Sequence, residues 1–74
     1  MQVEVQVYGG LGGQDRRPTQ VEVEPGASIG DIARQIGVPL EKVGMIIVDG
    51  RVRDRDDQVE AGQRVCFFPP LMGG

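Results

Sequence analysis

The chain contains no histidine and only one cysteine, Cys66. Without histidine it cannot supply a Ser-His or Cys-His nucleophile pair, a metal-binding facial triad or a structural zinc site on its own. With a single cysteine it cannot form an internal disulfide. These absences favour a reduced, cytoplasmic protein that binds neither a metal nor a cofactor itself.

The charge balance and the lack of long apolar runs exclude further classes of partner. Eleven acidic residues exceed eight basic ones, which gives a net charge of −3 and a pI near 4.7. Because phosphate is negative too, we expect no binding to nucleic acid or to an anionic membrane surface. No segment approaches the ~20 apolar residues of a membrane span, and the first residues lack the pattern of a signal peptide.

The length limits the chain to a single domain. Seventy-four residues cannot form two separate apolar cores. Leucine, isoleucine, valine and phenylalanine occupy 21 positions, or about 28% of the chain, which lies above the roughly 20% level that marks disorder. We therefore expect one folded unit.

Alternation of apolar and polar residues predicts two strands in the first third of the chain. Every second residue is valine in both segments, at Val3, Val5 and Val7 and again at Val21 and Val23. Glycine occupies four of the five positions 9–13 between them, and the polar segment Asp15-Arg16-Arg17-Pro18 follows before the second strand. The pattern indicates a hairpin with a long, flexible tip.

A helix is predicted after the Pro25-Gly26 turn. Ser28 and Asp31 have the spacing of a capping box, in which each side chain accepts a hydrogen bond from a backbone N–H at the helix start. Helical spacing then aligns four apolar residues, Ile29, Ile32, Ala33 and Ile36. Gly37 and Pro39 end the helix.

Three more strands complete the predicted order. A β-rich run, 45–48, leads into Asp49-Gly50, a dipeptide typical of tight hairpins, and residues 51–53 return. The last strand covers 64–68. One short helix cannot bury its apolar face alone, so it should lie across a mixed sheet with the last strand beside the first. This α+β order, ββαβββ, is similar to that of ubiquitin-like β-grasp domains.

The last six residues are predicted to form an extended tail. We place the globular domain at 1–68 and a flexible tail at 69–74. Pro69 and Pro70 restrict φ and favour an extended chain, whereas Gly73 and Gly74 have no side chains to obstruct a narrow channel. Such a tail could extend on the order of 15–20 Å from the last strand.

The C-terminal residues carry a resemblance to a known family. The string Val-x-Phe-Phe-Pro-Pro-x-x-Gly-Gly over 65–74 resembles the MoaD/ThiS-type ubiquitin-like sulfur carriers, especially the small subunit of molybdopterin synthase. The resemblance implies that an E1-like adenylyltransferase uses ATP to adenylate the Gly74 carboxylate, and that sulfur then replaces the adenylate. The thiocarboxylate would donate its sulfur inside the large synthase subunit. The chain would be a cosubstrate, not an enzyme.

Other functions remain open. The short glycine-rich segment after the first strand is more similar to the thiamine-pathway carrier, and a carrier for cysteine synthesis or tRNA thiolation is a further alternative. The same activated Gly74 could instead form an amide with a target lysine, as in a protein modifier. A plain interaction domain would use its outer sheet and would not need Gly73 and Gly74.

The last strand also predicts a docking patch. Successive side chains of a strand point to opposite faces, so one of Phe67 and Phe68 should be buried and the other exposed. We expect Phe68 on the outer face with Leu71 and Met72 nearby, and these residues, with Pro69 and Pro70, are the predicted partner contacts. Cys66 is predicted to be a buried, unreactive thiol.

Overall fold

The computed structural model describes residues 1–11 and 16–70. Within them the chain forms one sheet and one α-helix, which confirms the predicted α+β order. The elements are β1 (Gln2–Val7), β2 (Arg16–Glu22), α1 (Ile29–Ile36), a 3-10 helix (Leu40–Lys42), β3 (Met45–Val48), β4 (Arg51–Arg53) and β5 (Arg64–Phe68). Neither helix is long and apolar enough to cross a membrane.

The sheet has the strand order β2-β1-β5-β3-β4. β1 pairs in parallel with β5, whereas the other neighbouring strands pair antiparallel. The last strand therefore lies at the centre of the sheet beside the first, as the sequence predicts. β2 and β4 form its two edges.

The core lies between one face of the sheet and α1. The alternating valines of β1 are buried, and Val65 and Phe67 of β5 are fully buried on the same face. α1 covers them with Ile29, Ile32 and Ala33, all completely buried, while Ile36 is only partly buried. The predicted periodicities thus place the apolar residues on the correct faces.

The predicted caps of α1 are present. Asp31 N–H donates to Ser28 Oγ and Ser28 N–H donates to Asp31 Oδ2, both at 3.1 Å. Gly37 adopts a left-handed conformation with φ of 80° and donates to carbonyls of the last turn. A helix of only eight residues is marginally stable by itself. The caps satisfy backbone N–H and C=O groups at its two ends, and this helps α1 to form against the sheet.

The Asp49-Gly50 turn also forms as predicted, with φ of 49° and 83°. Its aspartate has a second role, because Asp49 Oδ1 accepts from Arg64 N–H at 2.9 Å. Asp49 N–H in turn donates to the Arg64 carbonyl at 3.1 Å. The turn between β3 and β4 is therefore tied to the beginning of β5.

Two features are not evident from the sequence pattern. Leu40–Lys42 forms a 3-10 turn, and Leu11, inside the glycine-rich segment, is only 4% exposed and joins the core. Leu11 therefore fixes the start of a segment predicted to be flexible throughout. Residues 12–15 of that predicted tip lie outside the described residues, whereas residues 16–18, also predicted to belong to the tip, form the beginning of β2.

The capping box predicts a pH dependence of stability. The hydrogen bond from Ser28 N–H, and next the one from Arg34, lower the pKa of Asp31 from its ordinary value. A lowered pKa stabilises the fold above the unfolded-state pKa, and this contribution disappears as the pH falls through the folded-state value. We expect Asp31→Asn to destabilise the protein at neutral pH, with a difference from wild type that shrinks in acid. Urea unfolding of both proteins, at neutral pH and at several acidic values, measures the difference in unfolding free energy. A difference that does not change with pH would contradict the prediction.

Candidate docking site at the chain exit

The chain leaves the sheet at the end of its central strand. Backbone hydrogen bonds hold both sides of this point: Tyr8 N–H donates to the Phe67 carbonyl at 3.0 Å, and Gly44 N–H donates to the Phe68 carbonyl at 2.8 Å. Residues 69 and 70 therefore follow from a strand end that is fixed by the segments after β1 and before β3.

Two glycines flank the prolines that follow. A Cβ atom added to Gly9 would overlap the Pro69 ring, at 2.6 Å from Cδ, and one added to Gly44 would lie 2.7 Å from Pro70 N. We call these four residues, Gly9, Gly44, Pro69 and Pro70, the exit seat. Pro69 is half-buried in it, whereas Pro70 is exposed. Gly44 was not predicted from the sequence to belong to the site.

The two phenylalanines of β5 lie on opposite faces, as predicted. Phe67 is completely buried, and Phe68 is half-buried on the face away from α1. There its ring stacks on Tyr8, with centroids 4.6 Å apart and an interplanar angle of 3°. Tyr8 was not predicted to belong to the site, although the alternation of β1 places it opposite the buried Val7.

An apolar surface extends from this stack across the outer face. Cross-strand pairing places Met45 beside Phe68, and Ile47 between Cys66 and Val52. We call this surface the outer patch, made of Tyr8, Met45, Ile47, Val52, Cys66 and Phe68. Its members Tyr8 and Val52 are 39% and 70% exposed, and they are the most exposed large hydrophobic side chains among the described residues. Clustered exposed apolar residues of this kind mark interaction surfaces.

The prediction that Cys66 is buried is wrong. Its side chain is half-buried in the outer patch, not buried in the core, because strand alternation puts it on the same face as Phe68. Burial nevertheless raises the pKa of the Cys66 thiol above its ordinary value, although Arg64 acts in the opposite direction. The thiol is therefore protonated at neutral pH, which agrees with the expectation of low reactivity.

Charged groups border the outer patch near the other end of β5. Arg64 Nε donates to Glu4 Oε2 in an ion pair between β1 and β5. The hydrogen bond to Glu4 raises the pKa of Arg64, a guanidinium that is charged at neutral pH in any case. The outer face thus changes from paired charges at Arg64 to aromatic and aliphatic side chains at Phe68.

The structure brings together three of the predicted partner contacts, Phe68, Pro69 and Pro70. The other four predicted site residues, Leu71, Met72, Gly73 and Gly74, lie outside the described residues and stay predictions. Among residues 1–11 and 16–70, no group of three His, Cys, Asp or Glu side chains could hold a metal ion.

Comparison with known proteins defines the class. The crystal structure of SAMP1 from Haloferax volcanii matches over 100% of both chains, with a TM-score of 0.72 and 20% sequence identity, so the fold is a ubiquitin-like β-grasp. The sequence matches the Mut7-C ubiquitin family over residues 3–72, and the chain belongs to that family. No curated protein matches significantly.

The Tyr8–Phe68 stack should stabilise the strand end measurably. Stacked aromatic pairs contribute about 0.5–1.5 kcal/mol beyond the burial of their area. We expect Tyr8→Ala and Phe68→Ala to be non-additive by about that amount in a double-mutant cycle of unfolding free energies. Additive single-mutant effects would show that the rings do not interact.

Proposed function

We propose that the chain is a sulfur carrier that acts through a carboxylate at Gly74, with molybdopterin synthesis as its pathway. The supporting observation is the chain exit: the central strand of a β-grasp domain ends at Phe68, Pro70 is exposed, and Gly73 and Gly74 follow it closely in the sequence. Membership of the Mut7-C ubiquitin family agrees with the fold of a ubiquitin-like carrier or modifier.

The chemistry needs a partner because a carboxylate is a poor electrophile. An E1-like adenylyltransferase joins the Gly74 carboxylate to AMP from ATP and releases pyrophosphate. A sulfur donor then attacks the acyl carbon, AMP leaves, and the terminus becomes a thiocarboxylate. That sulfur is the nucleophile delivered to the acceptor. The chain is the cosubstrate in each step, and glycine at 73 leaves room for the tail in a narrow active site.

The outer patch is the proposed docking surface for these partners. It adjoins the exit seat, so an enzyme that binds the patch holds the origin of the tail at the same time. Phe68 belongs to the patch and directly precedes the prolines. In the proposed pathway the activating enzyme binds first, and the large subunit of molybdopterin synthase binds the loaded carrier.

Intact-mass spectrometry tests the proposal. The protein is incubated with an E1-like adenylyltransferase of sulfur-carrier pathways, ATP and a sulfide donor. We expect the mass of the chain to change by the replacement of one oxygen with sulfur, located at Gly74 by fragmentation. A variant without Gly73 and Gly74 is the control and should not change.

The other outcomes identify the alternatives. An unchanged mass with an enzyme that activates its own carrier would contradict the proposal. Tagged protein that accumulates in heavier, amide-linked conjugates in cells would identify a protein modifier. Binding that survives deletion of Gly73 and Gly74, without any acyl transfer, would identify an interaction domain. Transfer to a thiamine-pathway acceptor but not to the large subunit of molybdopterin synthase would change the assigned pathway.

The outer patch generates a second prediction about activation. Val52→Glu places a charge in the patch at a position so exposed that the fold should tolerate it. We expect it to raise the KM for adenylation about tenfold, because the charge would be desolvated on docking. Gln20→Glu is the matched control, because it adds the same charge to the exposed outer face at the opposite edge strand. Equal KM values for both variants would remove the patch from the interface.

A further inference from the structure

We infer that Gly9 and Gly44 are positioning residues: they seat Pro69 and Pro70 and so fix the direction in which the tail leaves the domain. The inference about the seat depends on the domain alone, and its consequence for transfer rests on the proposed function. Neither glycine touches the reacting atoms. Each would act by leaving space for the prolines.

At position 44, glycine is required because a larger residue would occupy the space of Pro69 and Pro70. Its φ lies outside the left-handed range, so the backbone conformation does not require glycine. A Cβ there would overlap Pro70 Cα and lie 2.7 Å from Pro70 N and 2.9 Å from the Pro69 carbonyl carbon. These are backbone atoms, which cannot rotate away as a flexible side chain could. Any side chain at 44 must therefore displace the chain at 69–70.

Gly9 forms the opposite side of the seat. An added Cβ would overlap Pro69 Cγ and lie 2.6 Å from Cδ, atoms of a closed ring with little freedom to move. Gly9 also has φ of 69°, so a substitution there is strained for a second reason. The next residue, Gly10, has nearly the same conformation, with φ of 74°, but an added Cβ would meet nothing within 4 Å. The neighbouring glycine thus provides a matched comparison.

The exit seat holds the chain in a defined conformation beyond the last hydrogen bond of the sheet. The Gly44 N–H bond to the Phe68 carbonyl holds the strand end, and the two proline rings then restrict φ at 69 and 70. The tail therefore starts from a defined position and direction at residue 70. A partner that captures Gly74 has fewer residues to order, which lowers the entropic cost of binding.

The first experiment isolates the contact on the Gly9 side. Gly9→Ala and Gly10→Ala carry similar backbone strain, so the seat predicts that Gly9→Ala lowers Tm by at least about 4 °C more than Gly10→Ala. In a Pro69→Ala background this difference should fall to about 1 °C, because the ring is absent. Equal effects of the two substitutions, or a difference that survives Pro69→Ala, would overturn the Gly9 contact.

The second experiment compares the effect of Gly44→Ala in a chain with rigid prolines at 69 and 70 and in a chain with flexible residues there. We expect Gly44→Ala to lower Tm by at least about 5 °C in the wild-type chain but by less than half as much in a Pro69→Gly, Pro70→Gly background. The more flexible exit can then move away from the new methyl group. An equal loss in both backgrounds would place the clash inside the sheet, and no loss in either would show that the prolines do not lie there. Both results overturn the inference.

The third measurement separates positioning from loss of stability. Gly44→Ala is compared with Val59→Ala, a cavity variant at a buried side chain that lines neither the seat nor the outer patch. At a temperature where both are folded, we expect kcat/KM for adenylation to fall at least about tenfold for Gly44→Ala and to stay at the wild-type value for Val59→Ala. Equal values for wild type and Gly44→Ala would overturn the positioning role. If the wild-type chain is never adenylated, the proposed function fails, whereas the two Tm comparisons still decide on the seat.

Discussion

The burial of β5 at the centre of the sheet is the constraint on which the rest of the structure depends. Phe67 and Val65 are fully enclosed, and the strand pairs with β1 on one side and β3 on the other. Because a central strand has both edges occupied, its end is held by two neighbours and the chain can leave in few directions. The exit seat and the aromatic stack are both built around this strand end.

The two faces of the sheet differ in burial, and the proposed docking surface lies on the less buried face. The face towards α1 holds the buried valines, Ile46 and Phe67, whereas the other face carries half-buried and exposed apolar groups beside the exit. Under the proposed function, a substitution at a highly exposed position of the outer patch, such as Val52, should change partner binding with limited effect on folding. The Asp49 turn adds to this separation, because it ties the β3–β4 hairpin to β5 through hydrogen bonds at the far end from Phe68.

Most of the fold can be predicted from local sequence patterns, whereas most of the candidate site depends on contacts between residues that are distant in the sequence. Alternating valines, the Ser28–Asp31 box and Asp49-Gly50 act over a few residues, so the sequence alone predicts their structures. The Tyr8–Phe68 stack joins residues sixty positions apart and depends on the register between two strands. Gly44 is similar, because its requirement for glycine arises from a proline that is near only in the folded chain. Leu11 becomes a core residue by the same kind of contact.

The parallel pairing of β1 with β5 has a consequence for synthesis on the ribosome. β1 emerges first among the strands, but the partner that covers its inner edge is the last strand to be made. Until then β1 and β3 expose backbone groups that can pair with strands of other molecules, which is a route to aggregation. A product interrupted before β5 would therefore present two unpaired inner strand edges, and its chain exit would have no fixed strand end to start from.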